Sequence, residues 1–274
     1  MRPSIGLFCV DCLCYELAIQ AIKNTKKKFN FDQIIYFTDK NIKVDIPIQI
    51  IPKINSQESY SDFILKKLHT FINTDFALLI QWDGFITNPD IWTNEFFKYD
   101  YIGARWPYLD ENNVGNGGFS LRSLRLMKIV GNLAKNDLIQ VGEDDYICRK
   151  LRLKLEKEHS IKFAPASLAD LFSYERIPSG FDTFGFHGLH NIWRHLPDKS
   201  LTEFIDLIPD YYWDKSEFIE CFTHCFYQGK TEIFKRMYKK TRQKKTIDEI
   251  YSTLISICSI GDINALIHLG ELNE

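Results

Sequence analysis

Four short stretches carry residues whose types and spacing suit chemistry. The first is Gln81-Trp82-Asp83-Gly84, at the end of the unbroken apolar run Phe76-Ala77-Leu78-Leu79-Ile80. Such a run reads as a strand buried on both faces. In an open α/β sheet, ligands bind beyond the carboxyl ends of the strands. A carboxylate there, beside a glycine that lets the chain turn, suits a divalent cation holding a diphosphate; it can equally do no more than cap a turn. The second stretch is Gly142-Glu143-Asp144-Asp145. Acids are favoured at a helix start, and neighbouring helical residues point about 100° apart, so one or two of them can face a site. A carboxylate so placed can act as general base on an attacking hydroxyl. The third, Val114-Gly115-Asn116-Gly117-Gly118-Phe119-Ser120-Leu121-Arg122, is either an anion-binding loop or a bulged hairpin. Exposed amides and the Arg122 guanidinium serve the first reading, and turn geometry the second. The fourth is His187, between Phe184-Gly185-Phe186 and Gly188; it reads as a metal ligand or as a packed histidine.

These residues need a scaffold, and the periodicity supplies one. Strands are expected over 4–10, 33–38, 46–51 and 76–81, the third peripheral because of Pro47. Helices are expected over 13–28, 59–72 and 121–134, and from Tyr146 to Leu155. Strands alternating with helices give a mainly parallel sheet flanked by helices. The strand ends Val10-Asp11, Thr38-Asp39 and Gln81-Trp82-Asp83 then share one edge, the geometry of a nucleotide pocket. No G-x-G-x-x-G follows the first strand and no G-x-x-x-x-G-K-[ST] occurs, which disfavours dinucleotide and P-loop folds.

The bulk numbers narrow the classes further. The 274 residues are 45% apolar and 26% charged, enough for a core. A net charge of −2 gives no global field for nucleic acid. No apolar run is long enough to span a membrane. The apolar N-terminus meets Asp11 at once, which marks a strand and not a signal peptide. Seven cysteines, an odd number, read as reduced thiols in a cytoplasmic protein. Cys9, Cys12 and Cys14 cluster, but no second pair completes a zinc site.

In this order, Q-W-D-G, Y-D-Y-I-G-A-R-W, V-G-N-G-G-F-S-L-R, G-E-D-D-Y, F-S-Y-E and F-G-F-H-G resemble a widespread family of glycosyltransferase-like proteins catalogued as a domain of unknown function. The resemblance covers residues 4–195. That family is similar in turn to the GT-A glycosyltransferases, which implies a GT-A-like (Rossmann-like) fold and a nucleotide-sugar donor. Gln81-Trp82-Asp83 then falls on the DxD metal motif. Gln81 replaces its first acid and leaves Asp83 to hold Mn²⁺ or Mg²⁺. Asn116, Gly117 and Gly118 fall in the glycine-rich loop near donor and acceptor. Glu143-Asp144 falls on the xED motif, whose aspartate is the base in inverting enzymes. His187 falls on the histidine that completes the metal site. Trp82, Trp106 and Tyr108 either stack on sugar rings or pack in the core.

After Pro197 no strand pattern remains. Residues 198–274 read as a helical appendage to a catalytic domain of residues 1–197. Phe222 to Met237 can be laid over Leu254 to Leu269 at an offset of 32, near the period of helix-pair repeats, although two amphipathic pairs can match by chance. A basic cluster over 235–245 suits a membrane surface, a protein contact or a solvated face. The expected function is metal-assisted, inverting transfer of a sugar from a nucleotide-sugar, foremost a UDP-sugar, to a glycan or other hydroxyl acceptor. A non-catalytic nucleotide-sugar or glycan-binding module is the reading from another class. A nucleotide-sugar hydrolase is the third.

Overall fold

The computed structural model describes residues 2–177, 180 and 182–272. They form two compact units, residues 1–187 and 188–274.

The first unit is built on a six-stranded sheet. β1 (Ile5–Val10) and β4 (Phe76–Ile80) are buried along their whole lengths, as their unbroken apolar runs require. They pair in parallel, and β1 pairs in parallel with β2 (Gln33–Thr38). The short β3 (Ile48–Ile50) closes that side as an edge strand behind Pro47. On the other side β4 pairs antiparallel with β7 (Phe119–Ser123), and β7 antiparallel with β6 (Tyr101–Ile102). The order β3-β2-β1-β4-β7-β6 is therefore mainly parallel, with an antiparallel flank. Three more strands form a separate small sheet, β5 (Phe85–Ile86), β9 (Gly185–Phe186) and β8 (Ser173–Tyr174), in that spatial order.

Helices pack on the large sheet through apolar stripes. α1 (Tyr15–Lys26) buries Leu17, Ala18, Ala21 and Ile22. α2 (Gln57–Lys66) starts at a reciprocal Ser56–Ser59 cap and buries Ile64 and Leu65. α3 (Leu124–Leu133) begins later than the apolar periodicity suggested. Leu121 to Ser123 finish β7, and the Ser123 hydroxyl caps the helix by accepting from the Leu126 amide. α4 (Glu143–Asp145) continues into a π-helical turn (Tyr146–Lys150) and then α5 (Arg152–His159); α6 (Ala166–Phe172) leads into β8. Residues 114–122, whose two readings the sequence left open, run into β7 of the β6–β7 hairpin, with a further bridge between Arg105 and Val114.

The second unit is helical. Its helices are α7 (Asp198–Leu207), α8 (Ser216–Tyr227), α9 (Thr231–Arg242), α10 (Ile247–Leu254) and α11 (Ile260–Glu271). The 32-residue overlay holds for the cores of the two helix pairs, where Phe222 and Phe234 answer to Leu254 and Leu266, all buried. It fails at the turns. Gly229 sits between its helices at φ +66°, while Gly261 already lies inside α11. Much of the basic cluster is neutralised within this unit. Arg236 meets Asp206 at 2.5 Å, Arg242 meets Glu271 at 2.7 Å and Lys244 meets Asp210 at 2.6 Å. Lys240 lies 4.3 Å over the Trp213 ring. Among the described residues, no helix is long and apolar enough to cross a membrane.

Candidate active site

Asp83, Glu175 and His187 are brought together by the register of the small sheet. β5 opens two residues after Asp83 and pairs Phe85 with Phe186, which sets His187 beside Gly84. β8 pairs Tyr174 with Phe186, which sets Glu175 beside the same histidine. From the large sheet, the Gln81 amide donates to the Gly118 carbonyl at 2.8 Å, extending the β4–β7 ladder by one step. The His187 ring lies at the meeting of the two sheets. Its Nε2 is 3.1 Å from Gln81 Oε1 and 3.3 Å from Asp83 Oδ1. Its Nδ1 is 3.1 Å from Glu175 Oε1 and 3.3 Å from the Asn116 amide. Burial works against a charge on this ring, but Asp83 and Glu175 outweigh it and hold the imidazole protonated well above the usual histidine range.

The second carboxylate pair lies across a cavity of about 270 Å³. Asp144 is held from two sides: its Oδ2 accepts from the Gly117 amide at 2.8 Å and its Oδ1 from the Asp145 amide at 2.9 Å. Glu143 points the other way. It is buried and takes Arg122 in a two-pronged ion pair at 2.6 and 2.9 Å. The Arg122 Nε adds a bond to Ser120 Oγ at 3.0 Å. Fully buried and committed to this pair, Arg122 braces the loop from behind in place of the exposed anion contact its sequence position suggested.

The glycine-rich loop packs closely against the site. Its glycines make room for site side chains. A Cβ on Gly118 would stand 2.0 Å from His187 Nε2, one on Gly117 1.9 Å from Glu143 Oε1, and one on Gly115 2.0 Å from the Trp106 ring. Asn116 sits between them at φ 53°, a left-handed conformation that asparagine tolerates.

Gln81, Asn116, Gly117, Gly118, Glu143, Asp144 and His187 all line the cavity. Asp83 stands behind His187 and is itself buried. The strand-end residues lie along the same sheet edge, outside the cavity lining. Asp11 accepts from the Leu13 and Cys14 amides, and Asp39 from the Tyr15 hydroxyl at 2.9 Å. Burial, with Asp83 and Asp39 nearby, pushes the Asp11 carboxyl up to about 6 although its two amide donors oppose the shift. Val10, Thr38 and Trp82 are buried; Trp106 lines the cavity and Tyr108 is exposed. Sequence reasoning missed Glu175 and the α2 residues Gln57, Tyr60 and Ser61, which complete the lining. The F-S-Y-E motif contained the signal for Glu175. Among the described residues, no three His, Cys, Asp or Glu side chains are arranged to hold a metal ion. The third donor at the Asp83–His187 corner is an amide oxygen, that of Gln81.

A family profile described as "Protein of unknown function (DUF5672)" matches residues 45–187, more than half of the chain. The match takes in every cavity-lining residue and stops short of β1, α1 and β2. No curated protein matches the chain. Among solved structures, the chain is similar to a glycosyltransferase involved in glycosylation of the major capsid of PBCV-1, at 11% identity and TM-score 0.46, covering 68% of this chain and 92% of that one. It is also similar to the apo-form glycosyltransferase GlyE of Streptococcus pneumoniae TIGR4, at 14% identity and TM-score 0.42, covering 67% and 54%. A third is the mannosyltransferase PcManGT of Pyrobaculum calidifontis in complex with GDP-Man and Mn²⁺, at 8% identity and TM-score 0.42, covering 98% and 79%.

Proposed function

The chain belongs to the DUF5672 family, and from that premise we propose that it is a glycosyltransferase. It moves a sugar from a nucleotide-sugar to a hydroxyl acceptor with inversion, and a UDP-sugar is the first donor to test. The observation that carries this reading is the opposition, across one cavity at the carboxyl edge of parallel strands, of the Gln81–Asp83–His187 corner and the Asp144 carboxylate.

The donor chemistry of that corner fits a divalent cation. Two oxygens, from Asp83 and Gln81, meet the Nε2 of one imidazole, a set suited to Mn²⁺ or Mg²⁺. Glu175 on Nδ1 is the carboxylate partner that orients a ligating histidine. A cation bound there supplies positive charge against the leaving diphosphate. The chain's own residues do the rest. Asp144 takes the proton of the acceptor hydroxyl as its oxygen bonds to the anomeric carbon. The bond from that carbon to the diphosphate breaks, and its electron pair leaves with the diphosphate. The Gly117 amide fixes the carboxylate that receives the proton, and the Arg122–Glu143 pair fixes the loop carrying that amide.

Gln81 in place of an acid favours a second reading, a nucleotide-sugar-binding module without turnover. Donor consumption separates the two. With Mn²⁺ and an acceptor glycan, wild type consumes the donor, and Asp144→Asn loses about 10²- to 10⁴-fold in turnover while still binding it. Asp83→Asn loses the Mn²⁺ dependence. Full activity in Asp144→Asn removes the proposed base, and donor binding without consumption under any acceptor favours the binding module.

A further inference from the structure

α2 presents an anomaly in its own pattern. Positions 57, 60, 61, 64, 65 and 68 form one helical stripe carried into the turn that follows. Its lower part is apolar and buried, Ile64, Leu65 and Leu68, as core packing demands. Its first two turns are polar, Gln57, Tyr60 and Ser61, and these three line the cavity. Ser61 is wholly buried, and its hydroxyl oxygen has no hydrogen-bond partner among the described residues. Across the cavity the buried Asn116 Oδ1 is in the same condition. Buried oxygens left this way cost stability unless a ligand or water meets them. Tyr60 lines the cavity beside these oxygens.

The cavity's size and charge restrict what fills it. About 270 Å³ lies below the range of pockets for drug-sized ligands and admits one ring. The lining includes the carboxylates Asp144 and Glu175 but no lysine or arginine, and its Glu143 is already spent on Arg122. The lining's single basic side chain, His187, is already flanked by Asp83 and Glu175. In the absence of a divalent cation at the Gln81–His187 corner, an anionic ring would face the Asp144 carboxylate with no lysine or arginine to answer it, whereas a neutral ring rich in hydroxyls can use every unmet group.

We propose that this cavity takes one neutral, hydroxyl-rich pyranose ring, held by Gln57, Tyr60 and Ser61 of α2 with Asn116, and that it rejects uronates. This rests on the transferase reading for its role, as the subsite of the transferred sugar, but its chemistry stands apart from the nucleotide.

Saturation-transfer NMR on the full chain with glucose, galactose and mannose, against glucuronate and galacturonate, tests it. The expected result is transfer to at least one neutral hexose and none to the uronates. Gln57→Ala, on an exposed position that folding does not need, and Ser61→Ala each weaken that hexose by about tenfold, the effect of one lost hydrogen bond. Uronates binding as well as their neutral counterparts, no neutral hexose binding, or signals unchanged in both variants overturns the proposal. UDP and GDP, each with Mn²⁺, are titrated in parallel. A hexose response without nucleotide binding supports this subsite and overturns the nucleotide-sugar reading. Nucleotide binding without a hexose response does the reverse.

Discussion

Arg122 is the largest fully buried side chain of the described chain, and its charge survives there because Glu143 takes both prongs of its fork. Removing one member of such a pair leaves an uncompensated buried charge and costs about 3–5 kcal/mol, whereas replacing both with apolar groups of similar volume is close to neutral. Arg122→Met is therefore expected to lose that much in urea denaturation, and Arg122→Met with Glu143→Leu to recover most of it. The recovered double variant is expected to remain slow in turnover, because the Gly117 carbonyl loses the guanidinium contact and the amide that holds Asp144 loses its brace. The sequence showed an arginine after a glycine loop and an acid before a helix, and each looked available. That they are spent on one another follows from their meeting 21 residues apart in the buried interior, which no local pattern encodes. Asp144 was legible for the opposite reason. It is one of three acids at a helix start, and one face of that helix has to meet the sheet edge.

At the scale of elements, the long buried strands and amphipathic helices were readable because their periodicity extends over many residues. The small sheet was not, since β5, β8 and β9 are two residues each and carry no period. Their pairing nevertheless decides the site, because register alone puts Glu175 and Asp83 on opposite nitrogens of His187. The α3 boundary failed through a related ambiguity. Leu121-Arg122-Ser123 fits a helix by apolar spacing, but the β4–β7 ladder claims it, and the Ser123 cap marks the true start. The tight step at this junction of sheets is Gly118. Its missing Cβ leaves the space the His187 ring occupies. Gly118→Ala forces that ring aside, and overpacking of this kind costs about 1–3 kcal/mol. Mn²⁺ affinity, read by electron paramagnetic resonance, is expected to fall more than the melting temperature does, because the displaced ring carries a proposed ligand while the ladder stays intact. Gly261→Ala, where the added carbon has an open neighbourhood, is expected to change neither. Equal metal affinity in Gly118→Ala and wild type would remove His187 from the proposed metal corner.

For the molecule as a whole, the crowding of carboxylates at one sheet edge sets the direction in which pH acts. Asp11 is raised from 3.8 to about 6, chiefly by burial. A group raised in the folded state favours the protonated fold. Its contribution is complete below the unfolded value and is lost as pH climbs through the folded one. For Asp11 that window is about pH 4 to 6, and the two-unit shift caps the loss at about 3 kcal/mol. Glu143 and Asp145 are raised in the same sense, first by burial. His187, held protonated by Asp83 and Glu175 despite its burial, adds a second loss beginning above pH 6.5. Carboxyls shifted downward, such as Asp110 with Arg149 and Asp210 with Lys244, act in the opposite sense but are exposed and screened by solvent. His69 and His224, lowered first by burial, also act in the opposite sense below pH 6.5. The larger shifts at Asp11 and His187 set the sign. The sum predicts a protein whose melting temperature, measured with a chelator present, falls from pH 5 to pH 8. Asp11→Asn keeps an oxygen for the Leu13 and Cys14 amides and is expected to flatten the lower limb. Asp83→Asn, which takes away the main support of the His187 charge, is expected to flatten the upper one. Divalent cation changes the picture in a way that ties stability to the proposed chemistry. It competes with the proton for His187 Nε2, so Mn²⁺ is expected to raise the melting temperature more at pH 8 than at pH 5, by mass action on the folded state. A melting temperature that climbs with pH in chelator would contradict the buried-carboxylate account, and a Mn²⁺ effect equal at both pH values would detach the cation from the histidine.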